Sequence, residues 1–392
     1  MSQGRGSRIV ELVRLFFKLG FIGFGGPAAH IAMMEEEVVD RRGWMTRQRF
    51  LDLVGATHLI PGPNSTEMAL HVGFTRAGWP GMLAAGVAFL VPAVSLMVGL
   101  AWAYVRYGTL PEVAPWLAGV QAAVVAVIAG ALWRLSRTAI DGPGLALLGL
   151  AVAGATWLGV SPIVALVGGA GLGTAGLAVR DRVRRAGGAA ALLAWLVPDA
   201  GWTGLQVAGA TTGGPVSLVK LGSFFLKVGA VLYGSGYVLV AFLEGDLVHG
   251  YGWLTEQQLL DAVAMGQFTP GPVLTTATFI GFVLAGWPGA LIATLAIFLP
   301  SFLFVAVLNP WVPRMRASRV MGWFLDAVNA AAVGLMAAVT LRLALGAMTG
   351  VGPGLILAGA LVAVLVLRVQ AVWVVAGGAV AGAVLARLGG LA

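Results

Sequence analysis

Shifted by 209 residues, the chain falls onto itself. Lys18 meets Lys227, Gly20 meets Gly229, Gly25 meets Gly234 and Glu35 meets Glu244. The register runs on through Gly43-Trp44 with Gly252-Trp253, Thr46 with Thr255, Gln48 with Gln257 and Asp52 with Asp261, and reaches Pro61-Gly62-Pro63 with Pro270-Gly271-Pro272. One deletion later, at a shift of 208, Gly78-Trp79-Pro80-Gly81 overlies Gly286-Trp287-Pro288-Gly289, Pro92 overlies Pro300, and Arg134 overlies Arg342. Shared apolarity would not keep Lys, Asp, Trp and Pro in step. The chain is one unit built twice, over residues 8–180 and 218–392, with a connector at 181–217.

Of the 392 residues, 59% are hydrophobic and 10% charged, where a soluble domain carries about 25% charged. Too little polar surface is left to cover a water-soluble globule, which excludes a soluble enzyme. The chain reads as an all-α polytopic membrane protein. The first half offers apolar runs at 9–34, 48–75, 79–105, 113–133, 142–159 and 161–179, and the second repeats them at 219–241, 256–284, 287–309, 320–341, 353–368 and 370–387. A spanning helix needs about 20 apolar residues. The first run is interrupted by Gly23-Phe24-Gly25-Gly26-Pro27, and the second is cut at Pro-Gly-Pro into pieces too short to cross alone. Each half is expected to hold two broken or re-entrant segments and about four spanning helices. Met1–Arg14 is short and basic with no cleavage site after it, which predicts an uncleaved first segment.

Cysteine is absent, and the four histidines, His30, His58, His71 and His249, have no ligand spacing, so neither a metal nor a cofactor is expected. The net charge of +8 comes from basic residues at the ends of apolar runs. That pattern belongs to membrane topology and not to nucleic-acid binding. Its distribution differs between the halves. Arg41, Arg42, Arg47 and Arg49 follow the first broken run, whereas the copy at 245–258 has no Lys or Arg. After the helix that starts at Trp79 the bias reverses, with Arg106 alone in half one and Arg314, Arg316 and Arg319 in half two. Equivalent loops are therefore expected on opposite sides of the bilayer, which makes the halves an inverted repeat. The connector opens with Arg180, Arg182, Arg184 and Arg185, and its apolar stretch 186–210 reads either as a span or as an interfacial segment.

Lysine is rare. Only Lys18, Lys220 and Lys227 occur, and two of them occupy equivalent positions before a glycine-rich break. An ammonium inside an apolar segment needs a cavity or a partner, unless it snorkels to the headgroups. Lys18 and Lys227 are thus candidates for an anion site, together with Gly25, Gly26, Gly234 and Ser235 at the breaks. After the Pro-Gly-Pro turns come Asn64-Ser65-Thr66-Glu67 and Val273-Leu274-Thr275-Thr276. Their polar side chains can cap the next half-helix or meet a ligand, and the helix end offers free N–H groups to an oxyanion. Pro61, Gly62, Pro63, Asn64, Ser65, Thr66, Pro270, Gly271, Pro272 and Thr275 complete the candidate site, the alternative being a plain kink at each turn.

Asp52 and Asp261 are candidates to pair with the lysines or to carry a proton, the alternative being solvated interface residues. His58 and Glu67 are further proton candidates, replaced in half two by Gln267 and Thr276. Arg134 and Arg342 end their helices and are expected to snorkel, and Trp79 and Trp287 read as interfacial anchors. No catalytic residues are expected; only His58 with Ser65 would serve a membrane-embedded enzyme. A nucleotide-binding phosphate loop is missing, which leaves protons or membrane potential as the driving force.

The string Phe16-Phe17-Lys18-Leu19-Gly20-Phe21-Ile22-Gly23-Phe24-Gly25-Gly26-Pro27, followed by Gly43-Trp44-Met45-Thr46, Pro61-Gly62-Pro63-Asn64 and Gly78-Trp79-Pro80-Gly81, resembles the chromate transporter family in its long, two-domain form. The likeness covers nearly the whole chain. It implies chromate export across the inner membrane of a bacterium, with sulfate as the structural analogue, and oppositely oriented halves. The implied partners are the anion and the lipid bilayer, not nucleic acid, and a homodimer is compatible with it. A sulfate importer and a channel are the competing readings. Half two departs from the family string, with Ser235-Gly236 for Gly26-Pro27 and Val273 for Asn64, so the halves need not contribute equally.

Overall fold

The computed structural model describes residues 5–23, 26–185, 216–308, 311–348 and 350–388, and within them the regular structure is helical. Half one comprises α1 (Arg5–Ile22), α2 (Gly26–Glu35) with a π-helical extension (Glu36–Arg41), α3 (Arg47–Thr57), α4 (Asn64–Tyr107), α5 (Ala114–Ala139), α6 (Pro143–Trp157) and α7 (Pro162–Arg185). Half two repeats the order with α8 (Leu218–Val231), α9 (Val238–Phe242) and its π extension (Leu243–Gly250), α10 (Glu256–Phe268), a 3₁₀ turn (Val273–Thr275), α11 (Thr276–Leu308), α12 (Val312–Ala317), α13 (Arg319–Ala347), α14 (Val351–Leu365) and α15 (Ala371–Arg387). The short α12 has no helical counterpart in half one.

The broken segments are re-entrant hairpins. α1 stops at the Gly23 break and α2 comes back alongside it, with the His30 ring 2.7 Å from the Gly23 carbonyl and Lys18 Nζ 2.9 Å from Glu37. The Thr46 hydroxyl caps α3 by accepting from the Arg49 N–H, and Thr255 does the same for α10 in a full capping box with Gln258. These caps explain why the threonines stay in register. α3 rises to the Pro-Gly-Pro turn, and the first arm of α4 returns to the starting face. There Arg76 pairs with Glu11 at 3.0 Å and lies 4.8 Å over the Trp44 ring.

At Ala77-Gly78 the chain reverses within α4, with Gly78 at φ 68°, a left-handed conformation open to glycine. Gly73 then packs on Gly81 and Ala85. Gly286 repeats the reversal in α11 at φ 61°, packing Gly281 on Gly289. Only after this turn does the long arm cross the bilayer. Its contact with α1 is tight, because a Cβ on Gly20 would strike the Phe89 carbonyl, and one on Gly229 would strike that of Ile297. Among the described residues five helices are long and apolar enough to span, while α6, α14 and α15 are shorter apolar helices of 15, 15 and 17 residues.

The long arms of α4 and α11 pack antiparallel. Met82, early in one, shares a cluster with Val305, late in the other, and Gly86 faces Phe302. Equivalent helices running in opposite directions make the halves an inverted repeat. Two reciprocal hydrogen bonds join them at mid-depth: Gly62 N–H donates to the Leu232 carbonyl (2.8 Å), and Gly271 N–H donates to the Gly23 carbonyl (2.9 Å). The remaining helices are exchanged between halves. α5 packs against α14 and α15, and α13 against α6 and α7. Glycines let these backbones touch, Gly119 on Gly378 and Gly149 on Gly334.

The inverted packing sorts the charges. The face on which α1 begins carries Arg41, Arg42, Arg47, Arg76, Arg180, Arg182, Arg314 and Arg319, and the opposite face carries Arg106, Lys220, Arg342 and Arg387. α7 ends on the first face and α8 begins on the second. The apolar stretch 186–210 of the connector lies outside the described residues.

Candidate functional site

A cavity of about 520 Å³ lies where the helix breaks of both halves meet the exchanged helices. Half one supplies Gly23, Gly26 and Pro27 from its first break, and half two supplies Gly234, Ser235, Gly271 and Val273. Tyr237, Gln267 and Thr269 extend this wall. The other wall is α5, with Arg134, Leu135 and Thr138, and the α14–α15 connection from Arg368 to Val372, where the N-terminus of α15 begins. Free N–H groups at a helix start favour an anion there.

Two cations face this space. Among the described residues, neither Arg134 nor Arg368 is held in an ion pair. Arg368 is the one described non-glycine residue at positive φ (55°), a strained conformation that the α14–α15 connection imposes at the cavity wall. Polar groups add donors. Gln267 Oε1 accepts from the Tyr237 hydroxyl at 2.9 Å, which leaves its buried amide nitrogen without a partner.

The repeat gives Arg134 a counterpart in a different environment. Its counterpart Arg342 is tied down: Nη1 lies 3.4 Å from Glu244, and Nη2 donates to the Thr156 and Trp157 carbonyls at 2.7 and 3.0 Å. The half-one residue equivalent to Glu244 is Glu35, and Arg47 takes it at 3.0 Å. Glu256 stands where a second Arg47 would be. In half two no neighbouring arginine competes, and the carboxylate goes to Arg342. The expectation that both arginines snorkel is corrected for Arg342, which is locked to protein, while the exposed Arg134 lines the cavity.

The lysines take carboxylates from equivalent positions. Lys18 pairs with Glu37, and Lys227 pairs with Asp246 at 3.1 Å. Glu37 also receives Arg41 and Arg42. Neither lysine lines the cavity, and the inversion puts them on opposite sides of mid-depth. The pairing of lysines with Asp52 and Asp261 is not made. Asp52 accepts from Gln48 at 3.4 Å, and buried Asp261 accepts from Tyr104 (2.8 Å) and Gln121 (3.0 Å), both from half one.

The two Pro-Gly-Pro turns differ. Gly271 reaches the cavity, while Pro61, Gly62, Pro63 and the buried Ser65 and Thr66 lie away from it. Pro63 is the N-cap of α4 with no side-chain cap, and Asn64 bonds His58 at 3.3 Å instead of capping. After Pro272 the chain makes a 3₁₀ turn, and the Thr275 hydroxyl donates back to the Pro272 carbonyl at 2.8 Å. Glu67 is fully buried beside Gly62. Gly25 lies outside the described residues. Sequence reasoning missed Arg368, Thr138, Gln267 and Gln370 as lining residues. The one signal was Leu367-Arg368-Val369-Gln370, a polar interruption between two apolar runs.

The family model described as Chromate transporter matches residues 10–174 and 219–383. A chromate transport protein of Cupriavidus metallidurans is 34% identical over 335 residues, covering 85% of this chain and 82% of the relative. A probable chromate transport protein of Synechococcus elongatus is 33% identical, covering 83% of this chain and 82% of its own, and a chromate transport protein of Pseudomonas aeruginosa is 32% identical, covering 85% and 80%. No solved structure matches the chain. With both repeats matched and relatives aligned along most of their length, this chain belongs to the chromate transporter family.

Proposed function

We propose that the protein is a secondary transporter that carries chromate out of the cytoplasm across the inner membrane of a bacterium, with sulfate as a competing tetrahedral dianion. The observation that carries this reading is the cavity with two unpaired arginines, bounded by helix breaks from both halves and the start of α15. A dianion leaving water needs opposite charge and donors in place of its hydration shell. Arg134, Arg368, Gln267, Ser235, Thr138 and the α15 N–H groups offer both. The glycines at the breaks let backbone approach the anion.

The arginine-rich face is the cytoplasmic one on the positive-inside rule. Thr138, near the end of α5, and the Arg368 connection both lie toward it, which supports loading from the cytoplasm. An enzyme reading finds no support, since His58 is engaged with Asn64 and the Ser65 hydroxyl is buried without a partner. The test is transport. Cells expressing the protein should accumulate less chromate than controls, and everted membrane vesicles should take chromate up in a saturable way that sulfate inhibits. Unchanged accumulation together with no uptake by vesicles overturns the reading.

A further inference from the structure

The half-two turn borders the cavity; the half-one turn borders a buried carboxyl. Glu67 Oε1 and Ser301 Oγ, one group from each half, both crowd Gly62, so a Cβ there would strike the two together. Both side chains are at 0% exposure, and no hydrogen bond of good geometry reaches either Glu67 oxygen or the Ser301 hydroxyl. The repeat has no second copy of this pair. Thr276 stands at the position of Glu67 and Ala93 at that of Ser301, and Gly271 accordingly meets only the Ala93 methyl and the Gly20 carbonyl.

The titratable groups around Glu67 are few. Tyr233, in the segment after α8, lies within its electrostatic reach. His71 sits one turn further along α4, and His58, at the end of α3, is held to Asn64. No described Lys or Arg forms an ion pair with Glu67. A carboxylate deep in a membrane protein persists only when it is paired, wetted or neutral. Here no ion pair holds it and its side chain is at 0% exposure, and a neutral carboxyl beside a hydroxyl is the species that fits.

A metal ion would need a cage of about six oxygens. The carboxyl and the hydroxyl instead close on a glycine whose N–H is turned away to Leu232. Among the described residues no group of three or more His, Asp or Glu could hold a metal. A proton needs no cage. The other carboxylates are less suited, because Asp261 already accepts from Tyr104 and Gln121 and Asp52 accepts from Gln48.

One hydrogen bond joins the turn beside the carboxyl to the segment that leads to the cavity wall. Gly62 N–H holds the Leu232 carbonyl, and Gly234 and Ser235, two and three residues further on, are cavity wall. A shift of the half-one turn therefore moves the wall the anion touches. We propose that Glu67, set against Ser301 across the contact between halves, is the proton-binding site whose occupancy is coupled to that of the anion cavity. This rests on the transport reading above. The proton stays on Glu67 while the turn is packed, and it leaves to water when movement of the halves separates Glu67 from Ser301.

The test uses sulfate, which does not change protonation near neutral pH, and the full chain purified and reconstituted in liposomes. For the wild type, a pH gradient should drive sulfate accumulation, and sulfate binding should change the pH of a weakly buffered solution. Glu67→Gln should lower gradient-driven accumulation at least tenfold, abolish the proton signal and make sulfate affinity independent of pH. Ser301→Ala keeps the carboxyl and should move the midpoint of the pH profile without removing the dependence, which guards against a folding defect in the Gln variant. Gradient-driven accumulation unchanged in Glu67→Gln overturns the assignment, as does dependence on a sodium gradient and not on pH. Absence of any sulfate or chromate flux in the wild type would overturn the transport reading itself.

Discussion

Replacing Arg134 and Arg342 in turn separates binding from folding, because the repeat gives the two arginines one position and two environments. Arg134 lines the cavity without an ion pair, so Arg134→Ala should leave the fold in place and remove one charge-assisted contact to the anion. Such a contact is worth about 1.5–3 kcal/mol net, and affinity for chromate or sulfate should fall about 10- to 150-fold. Arg134→Lys should recover only part of this, since a point charge replaces a planar fork. Arg342→Ala takes a cation from Glu244, whose side chain is 1% exposed. Removing one member of a buried pair destabilises by about 3–5 kcal/mol. The effect should sit at the low end, because His249 remains 2.9 Å from the same carboxylate and Arg342 is 23% exposed. The assays are binding of radiolabelled sulfate to purified protein and thermal unfolding in detergent. The reasoning is refuted if Arg134→Ala binds as tightly as the wild type while remaining folded, or if Arg342→Ala loses affinity without loss of stability.

Lys18→Ala and Lys227→Ala each remove a half-exposed partner from a carboxylate, so anion affinity should change by less than about fivefold, the equivalent of about 1 kcal/mol; a larger loss in both would return the lysines to the binding site. Gly20→Ala drives a methyl into the Phe89 carbonyl and should destabilise by at least about 1–3 kcal/mol, read as a lower unfolding temperature, with Gly6→Ala, which meets no described atom within 4 Å, as the neutral comparison. Single cysteines in this cysteine-free chain report topology: Arg182→Cys should react with an impermeant thiol reagent only from the cytoplasmic side, and Gly250→Cys only from outside. Reaction of both from one side would contradict the inverted arrangement.

Much of this architecture is written along the chain. The doubled Pro-Gly-Pro turns, the glycine-rich breaks and the exchanged arginine clusters depend on local sequence, and they predicted re-entrant segments and inversion. The partners of the lysines were not legible in the same way. Glu37 and Asp246 sit in π-helical extensions, whose wider turn moves side chains off the positions that a 3.6-residue period assigns. The cavity was legible only in part. Gly26, Gly234, Ser235 and Gly271 could be named from the breaks, but Arg134 on α5 and Arg368 in the α14–α15 connection reach the site by exchange between halves. No one-dimensional pattern records that exchange. The different fates of Arg134 and Arg342 go with the swap of Arg47 for Glu256 and with α9 packing on α13, neither of which shows until Glu35 and Glu244 are seen to choose different partners.

The exchange of helices also redraws the moving parts. α1 with α4 and α8 with α11 form one block, tied through the antiparallel long arms, while α5 to α7 and α13 to α15 form another. Each block draws equally on both repeats, so the boundary between them does not follow the boundary between the duplicated sequences. The cavity lies along that seam. Its arginines and the α15 helix start belong to one block; the half-one break belongs to a hairpin packed on α4, while α9 and α10 of the half-two hairpin also pack on α13 and α5. Sliding of one block past the other would change the gap between guanidinium and backbone donors directly. Loading and release would then depend on how far apart the two blocks hold the arginines and the half-one backbone on either side of one anion shell.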